Sequence, residues 1–132
     1  MILLDSSAWV EFLRATGSAV HLRVRTALQE EVELASTDVV VMEILAGARD
    51  AADRDRLRRM LYGLRFLPVE GPADYEAAAE LYRLCRRGGE TPRNLSDCLI
   101  AAVAIRNEVE LLCEDADFLT IGRHAPLRLA SV

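Results

Sequence analysis

The feature that most constrains the fold of this chain is the alternation of very short apolar runs with longer segments of helical periodicity. The short runs, each of which contains two or three apolar residues, occupy residues 2–5, 33–36, 66–69, 110–113 and 127–130. Short runs of this kind are typical of buried strands, and strands that alternate with helices form parallel sheets through βαβ units. We therefore predict an α/β fold with a mostly parallel, four- to five-stranded sheet flanked by helices on both faces.

The segments between the apolar runs carry helix signals. Apolar residues recur at helical spacing in residues 19–29 and 51–62. The other predicted helices are one capped by Ser6 or Ser7, one from the Thr37-Asp38 cap to Gly47, one from Pro72 to Gly88-Gly89 and one from Asn94 to Arg106. A length of 132 residues suits one domain, so we predict a single domain over residues 1–132.

No segment has the character of a membrane span or a signal peptide. The longest apolar stretch, CLIAAVAI at residues 98–105, is far shorter than the roughly 20 residues that cross a bilayer, and no basic segment precedes the first apolar run. Cys85, Cys98 and Cys113 show no zinc or redox spacing, which is typical of a reducing compartment. We therefore expect a cytoplasmic protein without a membrane partner.

Lysine is absent from the sequence. The chain has 21 acidic residues, and all of its 16 Lys and Arg positions are Arg. Codon bias explains this composition without a functional cause, but the composition still excludes mechanisms that need a lysine. Receiver domains and haloacid-type phosphatases place an acidic pocket on an α/β sheet with a Lys beside it, and a Walker A site needs a Lys as well.

Carboxylates follow the first and the fourth predicted strands. Asp5 ends the first strand, and Asp115 and Asp117 follow the fourth in the sequence EDADF. Ligands of open α/β sheets bind outside the carboxyl ends of the strands, so these carboxylates belong to one edge of the sheet. Turn formation is an alternative explanation for Asp115 and Asp117, because Asp favours strand exits.

Glu43 lies inside the apolar sequence VVVMEILAG. The predicted helix face that holds Glu43 also holds Val39, Val40, Ala46 and Gly47. Since burial of an unpaired carboxylate costs several kcal/mol, we expect Glu43 to have a partner. An Arg side chain is one candidate, and a metal ion or a metal-bound water is the other.

Asp97 has two explanations. In the sequence NLSD, Asn94 takes the N-cap position of a predicted helix and Asp97 the third helical position, as in a capping box. A carboxylate there gains about 0.3–1 kcal/mol from the helix dipole. The other explanation is that Asp97 joins the carboxylates at the strand ends, which capping does not account for.

If the fold brings Asp5, Glu43, Asp97, Asp115 and Asp117 together, they form an acidic pocket. Two unit charges about 4 Å apart repel by about 4 kcal/mol at an effective dielectric constant near 20, so such a pocket needs cations or protons. Mg²⁺ prefers a few carboxylates together with water and phosphate oxygens. The 21 acidic residues less these five equal the 16 Arg residues, so the net charge of −5 can be assigned to this pocket.

Four short motifs carry a resemblance to a known family. They are Asp5-Ser6-Ser7 after the first strand, Glu43-x-x-x-Gly47, DCLIAA from Asp97 to Ala102, and Asp115-Ala116-Asp117-Phe118. Each motif alone is weak, but all four in this order in a chain of this length are specific. The sequence resembles the PIN-domain ribonucleases, in particular the VapC-type toxins of bacterial toxin–antitoxin pairs, over nearly its whole length.

The resemblance implies a single PIN-like α/β/α domain with a metal site. Asp5 and Asp97 would chiefly hold the metal, Asp115 or Asp117 would complete the cluster, and Glu43 would act partly through water. The catalytic residues that the family implies are therefore Asp5, Glu43, Asp97 and Asp115, with Mg²⁺ or Mn²⁺ as the cofactor. One or two such ions activate a water for attack on phosphorus, and the expected products are a 5′-phosphate and a 3′-hydroxyl.

The family has hydroxyl side chains at two positions near the predicted pocket, and this sequence keeps one of them. Ser7 matches a small hydroxyl residue of the family, which we interpret as orienting Asp5 or a bound water. Family members often carry Thr two residues before the position of Asp115, where this sequence has Cys113.

An acidic protein needs local basic groups to hold RNA. We predict that Arg93, in the loop before Asp97, and Arg87 bind RNA phosphates at the mouth of the pocket, since Arg can grip phosphate with two donors. For the neighbouring Arg83 and Arg86, an ordinary solvated helix face is an equal alternative. A structured RNA such as tRNA is the expected substrate, because loops expose a splayed backbone.

The resemblance also implies partners, namely a VapB-type antitoxin, whose C-terminal helix would enter an apolar groove, and a second copy in a homodimer. Candidate groove residues are Trp9, Phe12, Leu13, Leu45, Met60 and Leu61, with core packing as the alternative for most of them. Two other functional classes stay open. One is a non-catalytic binding module whose carboxylates hold a structural cation, and the other is a metal-dependent DNA nuclease.

Overall fold

The protein contains four short strands and seven helices, and the computed structural model describes all of its 132 residues. In chain order the elements are β1 (Ile2–Leu4), α1 (Ser6–Leu13), α2 (Ala19–Gln29), β2 (Leu34–Ser36), α3 (Asp38–Ala46), α4 (Ala51–Tyr62), β3 (Arg65–Phe66), α5 (Ala73–Arg87), α6 (Leu95–Arg106), β4 (Glu110–Leu112) and α7 (Ala116–His124). Strands and helices alternate as the apolar pattern predicted.

The four strands form one sheet in the order β3-β2-β1-β4, and every neighbouring pair is parallel. Leu3 in β1 pairs with Ala35 of β2 on one side and with Leu111 of β4 on the other. The predicted α/β fold with a parallel sheet and flanking helices is confirmed. The chain adds β2 and β3 on one side of β1 and later adds β4 on the other. The carboxyl ends of β1 and β4 therefore flank a topological switch point, where ligands bind in such sheets.

The core is a single cluster of 32 buried apolar residues. Helix α6 is its most enclosed element, because every residue from Asp97 to Ala104 is buried. α6 packs against α5, α7 and α3, while α1 packs against α2 and α3. The apolar stretch CLIAAVAI is thus a core helix whose first turn carries a carboxylate into the interior. None of the seven helices has the length and apolar character that crossing a bilayer requires.

Residues 127–130 do not form the fifth strand that their apolar character suggested. A single bridge joins this segment to β4, between Leu111 and Leu129. Leu111 donates its N–H to the Arg128 carbonyl and accepts the Ala130 N–H, both at 2.9 Å. Because alternate residues of a strand direct their peptide groups to opposite sides, the three-residue β4 offers only its middle residue to this edge. A longer ladder cannot form.

Strand β3 covers Arg65–Phe66 rather than residues 66–69. The Leu67 N–H still donates to the Ser36 carbonyl at 2.9 Å, but Pro68 has no N–H with which to continue the pairing. The Val69 N–H donates instead to the Asp38 side chain at 2.6 Å. The strand ends early because a proline interrupts its hydrogen bonds.

Helix α7 was not predicted from the sequence. Phe118 and Ile121 lie on its inner face and are fully buried, which is worth about 1.5–3 kcal/mol for each side chain. Their spacing of three residues, directly after Asp115 as a potential N-cap, was the available signal. The helix places Asp117 in the interior beside the start of α6.

Candidate active site

Asp5 lies directly after β1 and begins α1. Its Oδ2 atom accepts the Ser7 N–H at 3.0 Å and the Ser7 hydroxyl at 2.6 Å. The predicted cap by Ser6 or Ser7 is therefore wrong. Asp5 is the N-cap because its backbone is still extended, with φ −69° and ψ 160°, while Ser6 is already helical. The Ser7 hydroxyl also accepts the Glu114 N–H at 2.8 Å, which ties the exit of β1 to the exit of β4.

Asp115 and Asp117 lie where the chain leaves β4 and enters α7. Asp115 is the N-cap of α7 and accepts the Asp117 N–H at 2.9 Å, so it also has the turn-forming role given as an alternative. Asp117 is buried and accepts the N–H groups of Arg93 at 3.0 Å and of Asn94 at 3.1 Å. A carboxylate of α7 thus fixes the loop that leads into α6.

Asp97 lies in the first turn of α6, where a capping box was one of its two explanations. The Asn94 side chain makes no capping hydrogen bond. The Asn94 N–H, which a capping-box carboxylate would accept, donates to Asp117 at 3.1 Å. Asp97 is 5% exposed, and its Oδ2 atom has no hydrogen-bond partner. The capping explanation is therefore wrong, because a carboxylate from α7 has taken the donor.

Carboxylate oxygens of Asp97, Asp115 and Asp117 all lie within 4.8 Å of one another. Burial raises the pKa of Asp97 to about 8, and its contact with Asp117 and the negative charges of Asp115 and Asp5 act in the same direction. Burial also acts to raise the pKa of Asp117, but the hydrogen bonds that it accepts, foremost from Asp97, outweigh burial and lower it. Near pH 7, in the metal-free protein, Asp97 therefore keeps a proton beside an ionised Asp117.

Asp5 and Glu43 extend this acidic group. Burial raises the pKa of Asp5. The hydrogen bonds from Ser7 act to lower it but are outweighed, and the negative charge of Asp115 adds to the rise. Partial desolvation of its carboxylate raises the pKa of Glu43. The hydrogen bond from Ser6 acts to lower this pKa, whereas the negative charges of Asp5 and Asp115 raise it further. The structure thus brings the five predicted carboxylates into one neighbourhood.

The surroundings of Glu43 differ from those predicted. The buried residues of α3 are Val39, Val40, Val41 and Ile44, and Glu43 lies at the border of this buried face as an exposed residue. Its Oε1 atom accepts the Ser6 hydroxyl at 2.9 Å, and no Arg forms an ion pair with it. The predicted apolar enclosure is wrong, because α3 is turned so that Glu43 faces the start of α1. Of the two candidate partners, the structure excludes an Arg ion pair, and a metal ion or a metal-bound water stays a prediction.

Sequence reasoning missed two groups that hold these carboxylates. The Ser6 hydroxyl, which donates to Glu43, was interpreted only as a helix cap, although its place beside Asp5 in the Asp-Ser-Ser motif was a signal. The Glu114 N–H, which donates to Ser7, has no sequence signal, because any residue supplies a backbone N–H.

The donor set fits a hard divalent cation. Asp97, Asp115 and Asp117 could each give one oxygen to a single ion, and Asp5 lies close enough for its charge to act on Asp97. Mg²⁺ and Mn²⁺ favour carboxylate oxygens of this kind. The partnerless Asp97 Oδ2 is an acceptor in the interior for which the chain supplies no donor, and a cation would satisfy it.

Cys113, which stands where family members often have Thr, is outside β4, because the strand ends at Leu112. Burial raises the pKa of its thiol to about 12, and the charges of Asp5 and Asp115 add to this against a backbone hydrogen bond. The thiol is therefore neutral near pH 7 and adds no negative charge to the acidic pocket.

The two arginines predicted to bind RNA lie in different places. Arg93 has a 72% exposed side chain and donates to Asp115 at 3.1 Å, with a longer contact of 3.5 Å to Asp117. Arg87 is at the end of α5 and lines a separate groove with Leu84 and Ile105. The structure brings Arg93 to the carboxylates and leaves Arg87 outside this group, and RNA binding by either residue stays a prediction.

The apolar groove predicted beside the first helix is lined by a different set of residues. Trp9 and Leu61 lie in the core and cannot line it. A cavity of about 430 Å³ is nevertheless present between α1, α3 and α4. Its apolar lining residues are Val10, Leu13, Ile44 and Leu57.

The sequence matches the model of the PIN domain family over residues 2–123. It is 48% identical over 132 residues to ribonuclease VapC11 of Mycobacterium tuberculosis, a match that covers 99% of this chain and 98% of that protein. The VapC ribonuclease Mb1587 of Mycobacterium bovis is likewise 48% identical over the same shares of both chains.

Solved structures with low sequence identity share the fold. A chain of VapBC2 from Rickettsia felis, solved with a DNA fragment from their promoter, aligns with a TM-score of 0.75 at 19% identity over 98% of each chain. VapC20 of Mycobacterium tuberculosis, described as a sarcin-ricin loop cleaving toxin, gives 0.67 at 16% identity over 92% of this chain and 95% of that chain. The family match and the 48% identical relatives carry the assignment: the chain belongs to the PIN domain family and to the VapC group within it.

Proposed function

We propose that this chain is an endoribonuclease toxin that depends on Mg²⁺ or Mn²⁺, hydrolyses phosphodiester bonds in a structured RNA such as tRNA, and is neutralised by a cognate VapB-type antitoxin. The observation that carries the proposal is the partnerless Asp97 Oδ2 atom inside a group of carboxylates at the switch point between β1 and β4. The ribonuclease names of the 48% identical relatives support the same reaction class.

The ligands in this proposal are Asp5, Asp97, Asp115 and Asp117, with Glu43 acting through a water. When bound, Mg²⁺ or Mn²⁺ acidifies a coordinated water and offsets the charge of the phosphate. Asp97 must lose its proton for this, so the pKa of about 8 in the metal-free protein makes ion binding depend on pH.

The chain's own side chains fix the geometry of the reaction. Ser7 holds Asp5 and Ser6 holds Glu43, each through a hydroxyl. Only Oε1 of Glu43 accepts a hydrogen bond from the protein, so Oε2 can accept a proton, and its raised pKa suits that role. The water oxygen bonds to phosphorus, Glu43 accepts the water's proton, and the bond from phosphorus to the 3′ oxygen breaks.

The leaving 3′ oxygen takes up a proton from solvent water, so the products carry a 5′-phosphate and a 3′-hydroxyl. No Lys or His is needed for any of these proton transfers. The negative net charge of −5 disfavours indiscriminate binding of nucleic acid, so selectivity has to come from a shaped RNA. In this proposal Arg93 contacts the phosphates nearest the acidic pocket, and Arg87 contacts RNA farther away.

Protein partners are part of the proposal. The structural neighbours include VapBC assemblies from Rickettsia felis and Salmonella typhimurium, both solved with DNA. By analogy, a VapB-type antitoxin would bind this chain and block its acidic pocket. A homodimer would bring two such pockets into one assembly.

Expression of the wild type beside Asp5→Asn, in a host that lacks the antitoxin, tests the proposal. We expect growth arrest and discrete RNA cleavages with 5′-phosphate ends for the wild type only. Mapping the ends in total RNA identifies the substrate, and tRNA species should dominate. Arrest by both proteins with intact RNA would favour the non-catalytic binding module, and cleavage of DNA instead would favour the DNA nuclease.

A further inference from the structure

The cavity between α1, α3 and α4 adjoins the acidic pocket. Glu43 lines this cavity of about 430 Å³, and the same side chain accepts a hydrogen bond from Ser6, which follows Asp5 in the chain. A polymer held at the carboxylates therefore has a path past Glu43 into the cavity. Three arginines line the cavity beyond this point: Arg14, Arg49 and Arg56.

Two of these arginines are held side by side by one buried carboxylate. Asp53 is 9% exposed and accepts the Arg49 N–H at 3.0 Å, the Arg49 side chain at 3.4 Å and the Arg56 side chain. The Arg49 and Arg56 side chains are 79% and 60% exposed. We call these three residues the arginine clamp. It fixes two guanidinium groups while leaving other donors of each open to the cavity.

The side chains that line the cavity carry a net positive charge, from three Arg against Glu43 and Asp53. Arg14 forms no ion pair, and the three arginines face only Glu43 and Asp53 as acidic lining residues. Arg93 is paired with two carboxylates of the acidic pocket, Asp115 and Asp117, whereas Arg49 and Arg56 share the single carboxylate of Asp53. In a chain with a net charge of −5, anions should therefore be attracted to the clamp side.

We propose that the arginine clamp and Arg14 bind phosphates of the RNA strand on the side of the scissile bond next to Glu43, and so position the substrate. The inference rests on the proposed function and names a contact surface for its substrate. Guanidinium groups match phosphate with paired donors, and guanidiniums that a carboxylate already orders lose less conformational entropy on binding. RNA fits better than an acidic peptide, because its phosphates repeat along a chain that must pass Glu43.

Binding is measured on the full chain carrying Asp97→Asn, which prevents cleavage, with labelled oligouridylate as the probe. Phosphate contacts do not depend on base sequence. The test variants add either Arg49→Gln with Arg56→Gln, or Arg14→Gln alone. The matched control adds Arg54→Gln, since Arg54 lies on the same helix and pairs with exposed Asp55. Dissociation constants are determined over a series of salt concentrations.

We expect the double variant to bind about tenfold more weakly and to lose about 1.4 from the slope of log K against log salt, at about 0.7 for each phosphate contact to a single strand. Arg14→Gln should lose about half as much slope, and Arg54→Gln should stay within twofold of the parent. In otherwise wild-type protein, the double variant should raise KM for bulk tRNA by a similar factor and change kcat by less than about twofold.

Unchanged affinity and slope in both test variants would overturn the inference. Arg14→Gln still tests the inference if the double variant is unstable, because Arg14 has no ion-pair partner to leave behind. If RNA binding is intact but binding of the purified antitoxin is lost, the clamp is a protein contact and the inference is wrong. If the clamp variants bind RNA more weakly while the wild type cleaves none, the proposed function fails, and only the phosphate-binding part of the inference stands.

Discussion

The raised pKa of Asp97 makes a quantitative prediction for the metal-free protein. Its carboxyl has a pKa of about 8 in the fold, against an ordinary value of 3.8. Between these values the folded state holds one proton more than the unfolded state. The free energy of unfolding therefore falls as pH rises, by about 1.4 kcal/mol per pH unit for each such proton. This contribution is fully present below pH 3.8 and is lost by about pH 8.

Replacement Asp97→Asn should remove this part of the pH dependence. Relative to the wild type, the variant should gain at most about 4 kcal/mol between pH 5 and pH 8, and at pH 8 it should be the more stable protein. Asp5 and Glu43 also have raised pKa values. Both proteins therefore keep part of the dependence of the free energy of unfolding on pH. Urea unfolding in EDTA, followed by the fluorescence of the buried and only tryptophan, Trp9, measures the difference.

Two comparisons make this experiment decisive. Asp55→Asn, at an exposed position, should leave the pH dependence of the wild type unchanged. Mg²⁺ at about 100 times its dissociation constant should stabilise the wild type by about 2.7 kcal/mol at pH 8, with a much smaller effect on Asp97→Asn. Parallel stability curves for wild type and Asp97→Asn, or an equal response to Mg²⁺, would refute the reasoning that Asp97 is a repelled carboxylate and a metal ligand.

Three further predictions follow from other contacts. Glu43→Gln should keep the melting temperature within a few degrees and reduce cleavage by about 10²–10⁴-fold; preserved activity with lost stability would show a purely structural role. Ser7→Ala removes the hydroxyl shared by Asp5 and the β4 exit, so it should cost about 1–3 kcal/mol in urea unfolding and weaken Mg²⁺ binding measured by calorimetry, whereas unchanged Mg²⁺ affinity would contradict the positioning role. Arg106 lowers the pKa of the buried Asp74 carboxyl, so the stability that this pair contributes is present above the unfolded pKa of Asp74 and is lost as pH falls through the lowered folded pKa. Arg106→Gln should cost about 1.5–3 kcal/mol in urea unfolding near pH 7 and less near pH 3, and an equal cost at both pH values would count against this pairing.

The sequence by itself determined the layout of the fold. Each predicted strand up to residue 113 lies within one to three residues of an observed one, because short apolar runs bounded by polar residues depend on local pattern. The same pattern placed Asp5 after β1 and Asp115 after β4. In a parallel sheet the carboxyl ends share one edge, so the meeting of these two carboxylates was predictable without coordinates.

The tertiary structure alone decided which groups are partners. Asp97 has the sequence context of a capping residue, yet the N–H that it would accept donates to Asp117 of α7. Glu43 has an apolar context, yet it lies at the border of the buried face and accepts the Ser6 hydroxyl from α1. In both cases the competing group is far away in sequence and is brought into hydrogen-bond distance only by packing.

The physical reason for this division is the range of each interaction. Helix and strand formation depend on backbone conformation and on neighbours within a few residues, which the sequence displays directly. Burial, hydrogen-bond partners and pKa values depend on groups from separate elements that meet only when the core closes. The partnerless Asp97 Oδ2 and the hydrogen bond from Ser6 to Glu43 are of this second kind, because they exist only where α6 meets α7 and α1 meets α3 in the folded chain. The arginine clamp on Asp53 is local in sequence, and the tertiary structure decides only that it lines the cavity beside Glu43.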